Sequence, residues 1–136
     1  MYSVNINARL KFITVTFSGA VDIAERSCAW EEMTSAIDSF GNCRILLDFM
    51  AATVAADDFQ ASRTFARRVT YFAGVEGRRV AYLCPPGAHV NKVVEVLVDA
   101  RGLTIERFND RVEALRWLLS DLPDQKHLQL ALPRHS

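Results

Sequence analysis

Arg44-Ile45-Leu46-Leu47-Asp48-Phe49 decides how the rest of the chain is read. The run is short, apolar at nearly every position and carries a carboxylate near its end, the pattern of a strand buried on both faces. Such a strand needs partners on either edge and helices packed on it. Immediately upstream, Ile23, Trp30, Met33, Ile37 and Phe40 recur at helical spacing and leave Glu31, Glu32 and Asp38 outside. Asp22 followed three residues later by Glu25 is a capping box that starts this helix, and Gly41-Asn42 ends it. Further upstream, Tyr2 to Asn7 alternates Tyr2, Val4 and Ile6 with Ser3, Asn5 and Asn7. Leu10 to Ser18 sets Ile13, Val15 and Phe17 against Phe12, Thr14 and Thr16. The short Ala8-Arg9 link favours an antiparallel hairpin, and Gly19 is expected to break its second strand.

Downstream, Met50 to Ala56 reads as a loop of small and apolar residues. Asp57 with Gln60 caps a second helix, whose stripe is Phe59, Phe65, Val69 and Phe72, with Arg63, Arg67 and Arg68 off it. Arg79 to Cys84 is a strand stopped by Pro85-Pro86-Gly87. His89 to Arg101 mixes a helical face, Val90, Val93, Val94 and Leu97, with the β-branched Val96 and Val98. A helix is the reading that fills the crossover between two parallel strands. Thr104 to Phe108 is the last strand, and Asp110 with Glu113 caps a helix whose inner face is Val112, Leu115, Leu118 and Leu119.

The order β-β-α-β-α-β-α-β-α predicts an α/β fold with a mixed, mostly parallel five-stranded sheet and helices mainly on one face. The other face, with Thr14, Thr16 and Leu46, is then expected to lie uncovered, open to a partner subunit, a tail or a ligand. One domain spans residues 1–119. Residues 120–136 form a C-terminal tail in which Leu128, Leu130 and Leu132 alternate with Gln129 and Ala131, suited to docking on a partner subunit. A homo-oligomer is the expected state.

Composition narrows the function classes. Half of the 136 residues are hydrophobic and 24% are charged, the balance of one ordinary globular domain that buries its own core. Sixteen basic and sixteen acidic side chains leave a net charge of zero, which argues against nucleic acid or an anionic membrane surface as partner. Cys28, Cys43 and Cys84 are widely spaced and form no CxxC pair, so reduced thiols are expected rather than a zinc knuckle or redox dithiol. No signal-peptide pattern or membrane span is read, and a cytoplasmic location is the expectation.

A family resemblance rests on four elements. These are Phe17-Ser18-Gly19 before a capped helix; Ile45-Leu46-Leu47-Asp48 before a loop and helix; Arg79-Val80-Ala81-Tyr82-Leu83; and Phe108-Asn109-Asp110 leading to Ala114-Leu115-Arg116-Trp117-Leu118. Together they resemble the SpoIIAA-like group of STAS-related bacterial domains, also grouped with the CRAL-TRIO lipid-binding fold. The resemblance implies a β-α superhelical sheet with helices mainly on one side, and its lipid-binding relatives imply a carrier of an apolar ligand as one role. Its anti-sigma-factor-antagonist members carry a phosphorylatable Ser or Thr, usually followed by Gly, in the loop after the strand that matches Ile45 to Asp48. Here that loop lacks Ser-Gly, and Thr53 is its only hydroxyl.

Ligands of open α/β sheets gather at the carboxyl ends of the strands. That rim would bring together Asp48, Thr53, His89 and Asn109 as candidate ligand- or partner-binding residues. Asp48 has no base or metal partner at a telling spacing, and the three histidines form no HxxxH or HExxH pattern. GxGxxG, P-loop and GxSxG motifs are absent, so no cofactor, metal or activated serine is read. The expected function is a non-catalytic module that acts by protein contact. Alternatives are a carrier of a small apolar or lipid ligand lined by Phe59, Phe65, Phe72 and Trp117, and a phosphorylation switch at Thr53. An enzyme using Asp48 and His89 ranks last.

Overall fold

The computed structural model describes residues 1–37, 43–54, 60, 63–65, 67–68, 71, 78–86 and 105–120. Five strands follow one another across the sheet in chain order: β1 (Tyr2–Asn7), β2 (Phe12–Val21), β3 (Arg44–Val54), β4 (Arg79–Leu83) and β5 (Ile105–Phe108). β1 is antiparallel to β2, and every later pair is parallel. The fold is therefore α/β with a mixed, mostly parallel sheet, as the alternation of patterns predicts. Two helices flank it, α1 (Ile23–Ile37) and α2 (Arg111–Leu118), with further helical residues at 63–65 and 67–68.

The period-two pattern sorts the strands cleanly. Ile13, Val15, Phe17, Ile45, Leu47, Phe49, Val80 and Tyr82 point to one face and meet Ala29, Trp30, Met33 and Ile37 of α1, together with Phe65. Their rings form a run, Phe17 stacked on Phe49 at 4.5 Å between centroids and Phe49 on Tyr82 at 6.2 Å. Phe12, Leu46, Ala81 and Leu83 point to the other face and pack against Ala114, Leu115 and Leu118 of α2.

That second packing corrects the expectation of an uncovered face. Leu46 is completely buried and Thr14 is 8% exposed; Thr16 is half-buried. The reason is topological. Right-handed crossovers fix the side of a helix only when it joins two parallel strands. α1 and residues 63–65 lie in such connections and share a face. Among the described residues α2 follows the last strand and closes no crossover, so the apolar side chains of β3 and β4 draw it to the opposite side. Helices remain mainly on one face, but the other is roofed over β3, β4 and β5.

Three local readings also change. The hairpin link is four residues, 8–11, rather than two; the Asn7 side chain accepts the Leu10 N–H at 3.0 Å, and Lys11 takes a positive φ of 53°. Gly19 adopts φ +70° but does not end β2, which runs on to Val21. Residues 50–54 are not a loop: Ser18 pairs with Ala51, Gly19 with Ala52, Ala20 with Thr53 and Val21 with Val54. A register shift between Thr16 and Ser18 gives β3 an extra residue there, a bulge just beyond Asp48, the last residue of β3 that pairs with β4.

The helix starts follow the capping patterns. The Asp22 side chain accepts the Glu25 N–H at 2.8 Å, and the Asp110 side chain accepts the Val112 N–H at 3.1 Å. The Glu25 carboxylate closes no reciprocal box and pairs instead with the amino group of Met1. The readings on Phe40, Gly41-Asn42, Asp57, Phe59, Phe72, the 89–101 helix and the 121–136 tail lie outside the described residues. Among the described residues, no helix is long and apolar enough to cross a membrane.

Candidate functional site at the carboxyl ends of the strands

Asp48 lies where β3 leaves the body of the sheet, level with Thr16 of β2 and Leu83 of β4. Alternation turns its side chain to the α2 face. Both carboxylate oxygens are engaged. Oδ2 accepts from the Arg111 guanidinium at 3.1 Å, and Oδ1 accepts the Met50 N–H at 2.9 Å. The second bond holds the backbone at the bulge. The first ties β3 to the opening turn of α2.

The expected site residues are only partly brought together. Asn109 is exposed at the β5–α2 junction, two positions before Arg111, and so belongs to the same corner as Asp48. Thr53 is exposed but lies five residues further along β3, roughly 16 Å away at strand rise. His89 lies outside the described residues.

Arg111 is the residue that sequence reasoning missed. A cation in the first turn faces the positive end of the helix dipole, a position that favours anions. That placement was a readable signal that a carboxylate stands opposite.

On the other face, Arg26 of α1 is 2% exposed. Its Nε–H donates to the Asp22 carbonyl at 3.4 Å, and its guanidinium lies 5.8 Å from the Phe65 ring centre. Burial lowers its pKa, opposed by the neighbouring Tyr82 and Asp22. Buried aromatics surround it, so this part of the rim is filled by protein side chains. Trp117, proposed as pocket lining, packs on Phe108 at 5.7 Å and under Arg79 at 5.2 Å. Phe65 meets Trp30 edge-on at 6.0 Å.

Cys43 and Cys84 are buried and Cys28 is exposed, and none of the three forms a disulfide. Among the described residues no three His, Cys, Asp or Glu side chains group as metal ligands. Chemically, the corner offers a neutralised ion pair, an exposed amide and a projecting pair of strands. Compared with protein-family models, curated proteins and solved structures, the chain has no significant match.

Proposed function

We propose that the protein is a non-catalytic binding or regulatory module of STAS-like type, acting by protein–protein contact through the projecting ends of β2 and β3. The observation that carries this reading is the extent of that ribbon. β4 pairs with β3 only as far as Asp48, whereas β2 stays with β3 to Val54. Among the described residues, the β4-side edge of Met50–Val54 has no strand beside it. Its side chains are small apart from Met50, which is 44% exposed. An open edge with small side chains suits backbone pairing with an extended peptide segment, with Met50 as the apolar anchor. The engagement of both Asp48 oxygens favours recognition over acid–base chemistry.

Met50→Asp tests it by capture from lysate of the native cell, with Arg63→Glu, an exposed charge reversal outside β2 and β3, as a control. A protein retained by the wild type and Arg63→Glu but lost by Met50→Asp supports the reading. Equal capture by all three removes it. A second reading, a phosphorylation switch at Thr53, is favoured by the exposure of that residue on the ribbon. Intact-mass measurement after incubation with the same lysate would show an added phosphate that Thr53→Val lacks; no mass change overturns it.

A further inference from the structure

We propose that the protein forms a two-fold homodimer by antiparallel pairing of β1 with β1 of a second copy, with Val4 on the axis, joining two five-stranded sheets into one. This surface is the opposite edge of the sheet from β5 and does not depend on the proposed function above.

Hydrogen bonding to β2 determines which backbone groups of β1 remain available. The Ser18 N–H donates to the Met1 carbonyl at 2.8 Å, and the Met1 amino group donates to the Ser18 carbonyl at 3.1 Å. Residues that exchange both bonds alternate along an antiparallel pair with residues that exchange none. With the register Tyr2↔Phe17 through Asn7↔Phe12, Ser3, Asn5 and Asn7 therefore bond inward to β2. Tyr2, Val4 and Ile6 turn their N–H and C=O groups outward. Among the described residues, no strand lies on that side of β1.

Natural edge strands are usually guarded by a lysine, a proline, a bulge or a very short length. β1 has none of these. It is six residues long, pairs without a register shift, and Met1 to Ala8 contains neither a charged side chain nor a proline. On its α1 face, beside Tyr2 and Val4, Ile6 is 43% exposed although apolar.

A second copy satisfies this edge in one register. Residues directly opposite in an antiparallel pair share a face, so only partners of the same parity match. Placing Val4 opposite its own symmetry mate sets Tyr2 opposite Ile6 and Ser3 opposite Asn5. Every outward N–H and C=O of Tyr2, Val4 and Ile6 then gains a partner. Apolar side chains meet on the α1 face and polar ones on the other. Shifting the axis to Asn5 also matches the faces but leaves Tyr2 beyond the outward-bonding core, so the Val4 register makes the most bonds. The strand is its own complement, as a two-fold interface requires.

The test uses the full chain. Light scattering should give twice the mass of one chain, and amide exchange should show Val4 and Ile6 protected alongside Ser3 and Asn5. Val4→Pro removes an outward N–H without touching the ladder to β2, and Ile6→Lys adds a gatekeeping charge. Each should weaken dimerisation by roughly tenfold or more and free the Ile6 or Val4 amide that remains. Either variant suffices if the other fails to fold. A wild-type monomer at every soluble concentration overturns the proposal, even with those amides protected, because the edge is then filled from within the chain. A dimer whose Val4 and Ile6 amides exchange freely also overturns it, as does dimerisation unchanged in both variants.

Discussion

The two faces of the sheet are held by different means. The α1 face is a continuous aromatic and aliphatic layer from Phe17 through Phe49 to Tyr82, closed by Trp30, Met33 and Phe65. The α2 face is a smaller cluster under one short helix, flanked by polar Ser3, Asn5 and Thr16, and fastened at its corner by the Asp48–Arg111 pair. The contrast follows from connectivity. A face that receives crossover helices accumulates apolar side chains along every strand, whereas a face roofed only after the last strand is apolar just where that helix lands.

The contrast ranks the expected effects of substitution. Phe49→Ala, at the centre of the stacked rings, should cost about 3–5 kcal/mol of unfolding free energy by urea denaturation. A smaller loss than Leu115→Ala would mean that the α1 face is not the main core. Leu115→Ala on the α2 face should cost about 2–4 kcal/mol, with α2 exchanging its amides before the rest of the fold. Global loss of protection at once would show that the two faces melt as a single unit.

Asp48→Asn should cost about 1–2 kcal/mol, because the amide keeps an oxygen for the Met50 N–H but no longer neutralises the half-buried Arg111. Arg111→Met should lose less than the sum when combined with it, if the two residues act as a pair.

A further expected effect is confined to alkaline pH. Burial pushes the Cys43 thiol up from 9.0 to about 11, and its Sγ donates to the Lys11 carbonyl at 3.1 Å. The folded chain therefore holds this proton more tightly than the unfolded one. The stability it contributes is fully present below pH 9 and is lost as the pH rises towards 11. The advantage of the wild type over Cys43→Ala should shrink across that window. An advantage that is flat with pH would show that Cys43 contributes packing alone.

The strands, α1, both capped helix starts and the parallel order were legible because each depends on spacing within one short segment. Alternation placed Ile13, Val15 and Phe17 on one face and Phe12, Thr14 and Thr16 on the other, as the structure has them. Gly19 and Met50-Ala51-Ala52-Thr53 misled for the opposite reason. Glycine and alanine are poor strand formers, and pairing across the ribbon is what keeps Gly19, Ala51 and Ala52 in the ladder. The side taken by α2 was not legible, because the handedness rule applies to a helix joining two parallel strands, and among the described residues α2 joins none. The candidate site was half legible. Asp48 and Asn109 stand at one corner, but the partner of Asp48 lies 63 residues away in sequence, a distance that short-range spacing does not span.

Strict left-to-right strand order also governs how the chain assembles as it leaves the ribosome. Each new strand finds its neighbour already in place, so none has to be threaded between two others. The closing helix is synthesised after all five strands, however, and until Leu118 emerges the side chains of Leu46, Ala81 and Leu83 lack its cover. That interval is when the nascent polypeptide is most prone to aggregate, and a chaperone that binds it would act there.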